Sequence, residues 1–312
     1  MRILFVTATR IGDAVLSTGL LDHLLRTYPG ARITVACGPV AEGVFARMPN
    51  REATILLAKQ RFSGHWFSLW GQVARQRWDL VVDLRGSALS WLVRTRRRAV
   101  MRGGRRPGHK LLQLAGVLGL HPAPRPVAWF GPQDAAKAAA LLPGEGPYLA
   151  LGPSANWAGK VWPPERFVAL FQALTAPGGR LEGARPVVLA GPGATEAAMA
   201  APVLAALPQA VDLVGRLELP EAAALLSRCA LFVGNDSGLM HLSAAAGTPT
   251  LGLFGPTPAA EYAPVGRRAR AVLARGLPGR APMEALGVEA ALAAAVALLD
   301  TPGDAPGEPP EG

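Results

Sequence analysis

The sequence holds only two cysteines, Cys37 and Cys229, and both fall in apolar stretches that read as buried. They supply neither a disulfide framework nor a cysteine-based metal site, and the expected setting is reducing and cytoplasmic. Long apolar runs are missing as well: none approaches the roughly 20 residues that a membrane-spanning helix requires. The apolar start of the chain is too short for a signal peptide, and Arg10 and Asp13 interrupt its continuation. Aromatic residues make up 6% of the chain, which offers few stacking platforms and argues against a single-strand nucleic-acid binder. P-loop, HExxH, Cys/His-cluster and GxSxG patterns are all absent, so no metal site is expected and the common phosphate-binding and hydrolase signatures are excluded. Nor does a G-x-G-x-x-G come after the first expected strand. Gly191-Pro192-Gly193-Ala194 comes after a late strand, contains a proline and lacks the third glycine. A dinucleotide-dependent oxidoreductase or epimerase is therefore the lesser alternative.

One long stretch lacks acid altogether. No Asp or Glu occurs between Asp83 and Asp134, whereas Arg94, Arg96, Arg97, Arg98, Arg102, Arg105, Arg106 and Lys110 crowd together there. With a formal net charge of +10, such a patch attracts a polyanion: nucleic acid, acidic lipid headgroups or a phosphorylated substrate. The alternative is a solvated arginine-rich face in a chain where arginine is abundant and lysine scarce.

What is present is a βα rhythm, repeated twice. Short apolar runs at 3–8, 32–37, 53–57 and 79–84 read as strands, with a helix over about 13–26, a Trp-rich helix before the fourth strand, and a helix over 87–96 ahead of a short strand at 99–102. Prolines crowd 121–147 around one Ala-rich helical stretch, 133–142, and mark a linker. The rhythm then restarts, with strands at 148–151, 186–190, 211–214, 231–234 and 248–254 and helices at 163–173, 194–207, 219–228 and 237–246. The expectation is α/β: two Rossmann-like, doubly wound parallel-sheet domains facing a cleft, over 1–140 and 146–300, with a disordered tail at 301–312. In such sheets ligands sit beyond the carboxyl ends of the strands.

Four loops at those ends carry polar residues suited to chemistry. In Gly234-Asn235-Asp236-Ser237-Gly238-Leu239-Met240-His241 a strand ends and a helix begins, so amides and the helix dipole offer an anion site. Ser237 either caps that helix or donates to a phosphate, and His241 lies one turn inside. Asp13 comes just after Gly12, past the first strand; it is either a first-turn carboxylate favoured by the dipole or a group that takes a proton from a substrate. Lys160 stands in Ser154-Ala155-Asn156-Trp157-Ala158-Gly159-Lys160-Val161-Trp162-Pro163, just before a proline-started helix. It is either an exposed lysine or a point charge for a diphosphate. Glu196 is either a first-turn acid or an acceptor for ribose hydroxyls.

These four segments, in this order, resemble the bacterial lipopolysaccharide heptosyltransferase family, glycosyltransferase family 9. The likeness runs from the Ile3-Leu4-Phe5-Val6 strand and Ile11-Gly12-Asp13 turn to about residue 265. It implies a two-domain GT-B enzyme that moves heptose from ADP-heptose, as co-substrate rather than cofactor, onto an anionic glycolipid, the growing lipopolysaccharide core. Asp13 would be the base. Ser154, Asn156, Lys160, Glu196, Asp236, Ser237, Gly238 and His241 would bind the nucleotide sugar. Ala155 stands where the family often has a hydroxyl, so Ser154, Ala155 and Asn156 all remain open as the residue facing phosphate. The acceptor would be met by Gly12, Arg94, Arg97, Arg98 and Arg102. The resemblance further implies metal-independent, inverting transfer by a monomer that binds no nucleic acid and touches the inner-membrane face peripherally.

Overall fold

The computed structural model describes residues 1–61, 64–103, 107–144 and 146–302. Arg105, Arg106 and nearly all of the expected tail lie outside the described residues. The chain divides into two compact units, Met1–Trp129 and a second that begins at Phe130.

The first unit runs β1 (Arg2–Val6), α1 (Ile11–Thr27), β2 (Arg32–Cys37), β3 (Arg51–Leu56), α2 (Gly64–Val73), β4 (Arg77–Asp83), α3 (Leu89–Leu92), β5 (Arg94–Val100) and α4 (Lys110–Ala115). Its five strands are all parallel, in the order β3-β2-β1-β4-β5. β1 is almost wholly buried because both of its faces are covered, which is why Ile3-Leu4-Phe5-Val6 is continuously apolar rather than alternating.

Residues 87–96 do not form the expected helix. Only Leu89–Leu92 is helical, and Arg94 already opens β5, which pairs with β4. The cause lies in the segment's hydrogen bonds and strand pairing rather than in its own periodicity. Asp83, fully buried at the end of β4, accepts from the amides of Arg85 and Ser87 and from the hydroxyls of Ser87 and Ser90, both at 2.5 Å. A buried carboxylate must be satisfied in this way, and doing so bends the chain back toward the sheet. Arg98 Nε then donates to Ser90 O at 2.7 Å, tying β5 to α3.

The second unit runs α5 (Pro132–Leu141), β6 (Tyr148–Gly152), α6 (Pro164–Thr175), β7 (Arg185–Val188), α7 (Ala194–Ala206), β8 (Val211–Asp212), α8 (Leu219–Leu226), β9 (Leu231–Asn235), α9 (Gly238–Ala245), β10 (Thr250–Phe254), α10 (Ala259–Tyr262), β11 (Ala269–Leu273) and α11 (Val288–Asp300). Six parallel strands take the order β11-β10-β9-β6-β7-β8. The Ala-rich helix expected within a linker is α5, and it packs on α8 inside this unit; Lys137 on α5 pairs with Glu221 on α8 at 2.7 Å. β11 and α11, both beyond the strands and helices read from the sequence, complete the sheet and its cover. α11 is so rich in alanine that its buried face of Ala291, Ala295 and Leu298 has little contrast with the rest.

Candidate functional site

In each sheet the strand order reverses about one pair, β1/β4 in the first unit and β6/β9 in the second. Connections leave such a pair in opposite directions and open a crevice at the carboxyl ends. The second unit's loops after β6 and β9 meet at its switch point. Lys160 Nζ donates to Asp236 Oδ2 at 2.6 Å, and both side chains are mostly buried.

Three structural devices hold that pair in place. Asn235, fully buried, accepts the Trp162 amide on Oδ1 at 3.0 Å, while its Nδ2 lies 3.5 Å from the carbonyls of Gly152 and Ser154. One side chain thus joins the end of β9 to both ends of the β6 loop. Trp162 anchors the loop in the core: its Nε1 donates to Leu286 O at 2.8 Å and its ring meets Phe167 edge-on. A tryptophan two residues after Lys160 is therefore an anchor for the lysine's loop. Lastly, Gly152, Gly234 and Gly252 stand side by side across β6, β9 and β10. A Cβ on Gly152 or Gly234 would lie 2.6 Å from the ring of Phe232, and one on Gly252 would lie 2.5 Å from Met240 Sδ on α9. The glycine row is what lets the ring lie flat and α9 approach the sheet.

Ser237 is the N-cap of α9, and its hydroxyl accepts from the Met240 amide at 3.5 Å. Gly238 occupies the first helical position, where an amide has no partner within the helix, and the dipole's positive end faces the switch point. His241, in the same turn, is 5% exposed. Around β6, Ser154 and Ala155 are buried while Asn156 and Trp157 are exposed. Trp157 lays its ring over Gly159, where a Cβ would approach it within 2.6 Å. Glu196 sits on the neighbouring β7 loop in the first turn of α7. Its carboxylate folds back over Gly193, whose φ of 138° suits glycine alone. That posture fits a first-turn acid and leaves the carboxylate at the same end of the sheet as Lys160.

At the first unit's switch point Asp13 lies in the first turn of α1, which has Arg10 as N-cap and no side-chain cap. A cavity of about 340 Å³ opens there, lined by Thr7, Thr9, Arg10, Asp13, Arg85 and Lys110 among others. Gly12, beside Asp13, is half-buried. The four arginines proposed for the acceptor do not share one surface. Arg94 and Arg98 fall on one face of the edge strand β5 and Arg97 on the other, because strand side chains alternate. Arg98 is further committed to the carbonyls of Ser90 and Val93 and stacks over Trp91. Arg102 lies past the strand and, with Arg98, borders a cavity of about 750 Å³. Among the described residues no group of three or more His, Cys, Asp or Glu side chains is arranged to hold a metal ion.

A sequence model of glycosyltransferase family 9 (heptosyltransferase) matches residues 109–284, more than half of the chain and all of the loops just described in the second unit. The chain belongs to glycosyltransferase family 9. It is a glycosyltransferase. Lipooligosaccharide heptosyltransferase 2 of Haemophilus influenzae is 28% identical over 306 residues, covering 85% of this chain and 86% of that protein. Among solved structures, Escherichia coli ADP-heptose LPS heptosyltransferase II superimposes with a TM-score of 0.74 at 21% identity, over 96% of this chain and 98% of its own. E. coli heptosyltransferase WaaC with ADP-2-deoxy-2-fluoro heptose gives 0.68 at 19% identity, over 93% and 98%. Both share the fold, two parallel-sheet α/β units.

Sequence reasoning did not single out Asn235, Asp83 or the glycine row. A polar residue closing an apolar strand was the available signal for the first two, and both turn out fully buried.

Proposed function

We propose that this glycosyltransferase moves heptose from ADP-heptose, or a related nucleotide sugar, onto a lipopolysaccharide-core or similar glycan with inversion at the anomeric carbon. The single observation that carries the reading is the Lys160–Asp236 pair beside the head of α9, at the second unit's switch point. A nucleoside diphosphate fits that arrangement: Lys160 supplies a charge, the Gly238 end of α9 supplies amides and a dipole, and His241 lines the same turn. Ser154, Asn156 and Ser237 add hydrogen bonds, and Glu196 takes the ribose hydroxyls.

In the transfer step an acceptor oxygen bonds to the anomeric carbon as the bond from that carbon to the diphosphate breaks. The electron pair leaves with the diphosphate, whose charge Lys160 and the α9 amides stabilise. The acceptor hydroxyl becomes strongly acidic as its new bond forms, and its proton passes to Asp13. Arg10, Arg85 and Lys110 around Asp13 suit an acceptor bearing phosphate or carboxylate, with Arg94, Arg97 and Arg102 available for more distant acidic groups. Such an acceptor places the enzyme at the cytoplasmic face of the inner membrane.

Calorimetric titration with ADP, UDP and GDP, then transfer from ADP-heptose to a deacylated core oligosaccharide with NMR of the new linkage, tests this. Selective ADP binding and an inverted anomer are expected. Retention of configuration, or no affinity for any of the three diphosphates, would overturn it.

A further inference from the structure

The loop that carries Lys160 holds two tryptophans, and packing accounts for only one of them. Trp162 is fully buried and its Nε1 is satisfied. Trp157, earlier in the same loop, is 55% exposed. Among the described residues of the second unit, no other tryptophan or phenylalanine is as exposed. An indole carries a large apolar surface that folding ordinarily buries. This one stands in the open at the end of β6, on the loop that supplies the Lys160–Asp236 pair.

The ring is held in one posture. A Cβ on Gly159 would lie 2.6, 2.8 and 2.9 Å from Cζ2, Cη2 and Cε2 of Trp157, neighbouring atoms of its six-membered ring. Nearly equal distances to such atoms mean that Gly159 meets the face of the indole and not its edge. Glycine is needed there, because any side chain would lift the ring from the backbone. One face is thereby covered, while the side chain as a whole stays more than half exposed. The loop beneath is anchored at both ends, by Asn235 and by Trp162. Between the anchors, the Lys160 amide donates to Trp157 O at 3.1 Å and closes a single turn of 3₁₀ helix. Three residues of such a helix advance about 6 Å, so the ring and the ammonium group spring from one short, fixed turn.

The order of groups along the donor indicates what the ring meets. On the reading proposed above, which this inference deepens, the diphosphate lies on Lys160 and the head of α9, and the ribose on Glu196 at the β7 loop. The nucleoside then runs from Lys160 toward β7, and the transferred sugar is joined to the opposite end of the diphosphate. A pyranose presents a face of C–H groups, apolar and weakly positive, which complements the negative face of an indole. We propose that Trp157 is a platform on which the transferred sugar of the donor stacks, so that the protein prefers the sugar nucleotide to the bare diphosphate. Because the ring is already fixed on Gly159, stacking orders little that was free before.

Calorimetric titration of the full chain with ADP and, in the absence of acceptor, with ADP-heptose tests the platform. Wild type should bind ADP-heptose more tightly than ADP. Trp157→Ala should erase most of that preference, losing about tenfold in affinity for ADP-heptose while ADP affinity stays within about twofold. Trp157→Phe keeps a ring and should recover most of the loss. All three proteins should melt at the same temperature, since the exposed indole fills no core. Equal losses for ADP and ADP-heptose in the alanine variant would move the ring onto the nucleotide and overturn the proposal. So would a preference for ADP-heptose that survives in that variant, or one that wild type lacks. Those results leave the donor reading standing, whereas a wild type with no affinity for either ligand would sink both.

Discussion

Lys160 and Asp236, 76 positions apart in the chain, are joined by a 2.6 Å ion pair at the carboxyl ends of β6 and β9. An ammonium group has three donors, so one can stay on Asp236 while the others turn to a bound diphosphate. Asp236 then acts chiefly by holding Lys160 in place.

The pair should consequently behave as a unit. Lys160→Met and Asp236→Asn are each expected to weaken ADP binding by about 1.5–3 kcal/mol, the range for a hydrogen bond to a charged group. The double variant should be scarcely weaker than either single one. Calorimetric titration of the four proteins provides the cycle; simple additivity would mean that the two side chains act separately.

Asp13→Asn should remove transfer while leaving ADP affinity within about twofold of wild type, since general-base contributions of about 10²–10⁴-fold fall on the chemical step. Initial rates and a parallel ADP titration distinguish the cases. Loss of nucleotide affinity together with activity would take the base role away from Asp13.

Asn235→Ala deletes the acceptor for the buried Trp162 amide and the link to the Gly152 and Ser154 carbonyls. A stability loss of about 1–3 kcal/mol is expected from the unsatisfied groups, with weaker ADP binding because the β6 loop loses its tie. Thermal melts with and without ADP read both effects, and an unchanged melting temperature would refute the structural role.

Burial, aided by the Glu42 charge, pushes the Cys37 thiol up to about 12, and burial pushes Cys229 to about 12 as well. At pH 8 both are neutral thiols, so iodoacetamide should react slowly with native protein and rapidly in urea. The folded state holds these protons more tightly than the unfolded one. Their stabilising effect is therefore complete below the ordinary value of 9.0 and is lost as pH climbs from there toward 12. Denaturant melts across that range should show the decline, and Cys37→Ala/Cys229→Ala should flatten it.

Much of the fold was legible because buried parallel strands write themselves as short apolar runs. Ile3 to Val6 and Leu231 to Val233 could hardly be anything else. The same rule fails where contacts from outside the segment decide its conformation. Residues 87–96 carry Leu89 and Val93 at helical spacing, yet Asp83 and β4 draw them into a four-residue helix and an edge strand. The arginines of that stretch consequently alternate across a strand instead of lining one helical face. At the candidate site, the loop residues were visible as polar groups closing apolar strands. Their partners were not, because nothing in a linear reading says that Asn235 faces Trp162 or that Phe232 lies under Gly152.

The sequence by itself determined the βα alternation, the polar loops at strand ends and the kinship they carry, since each depends on residues close together in the chain. Tertiary structure alone decided that Lys160 stands on Asp236, that Trp162 anchors the loop that carries Lys160, and that Phe67, Trp70, Trp91 and Leu92 are exposed on neighbouring helices. Each of those depends on strand order and helix rotation, which are set by packing between segments far apart in the chain.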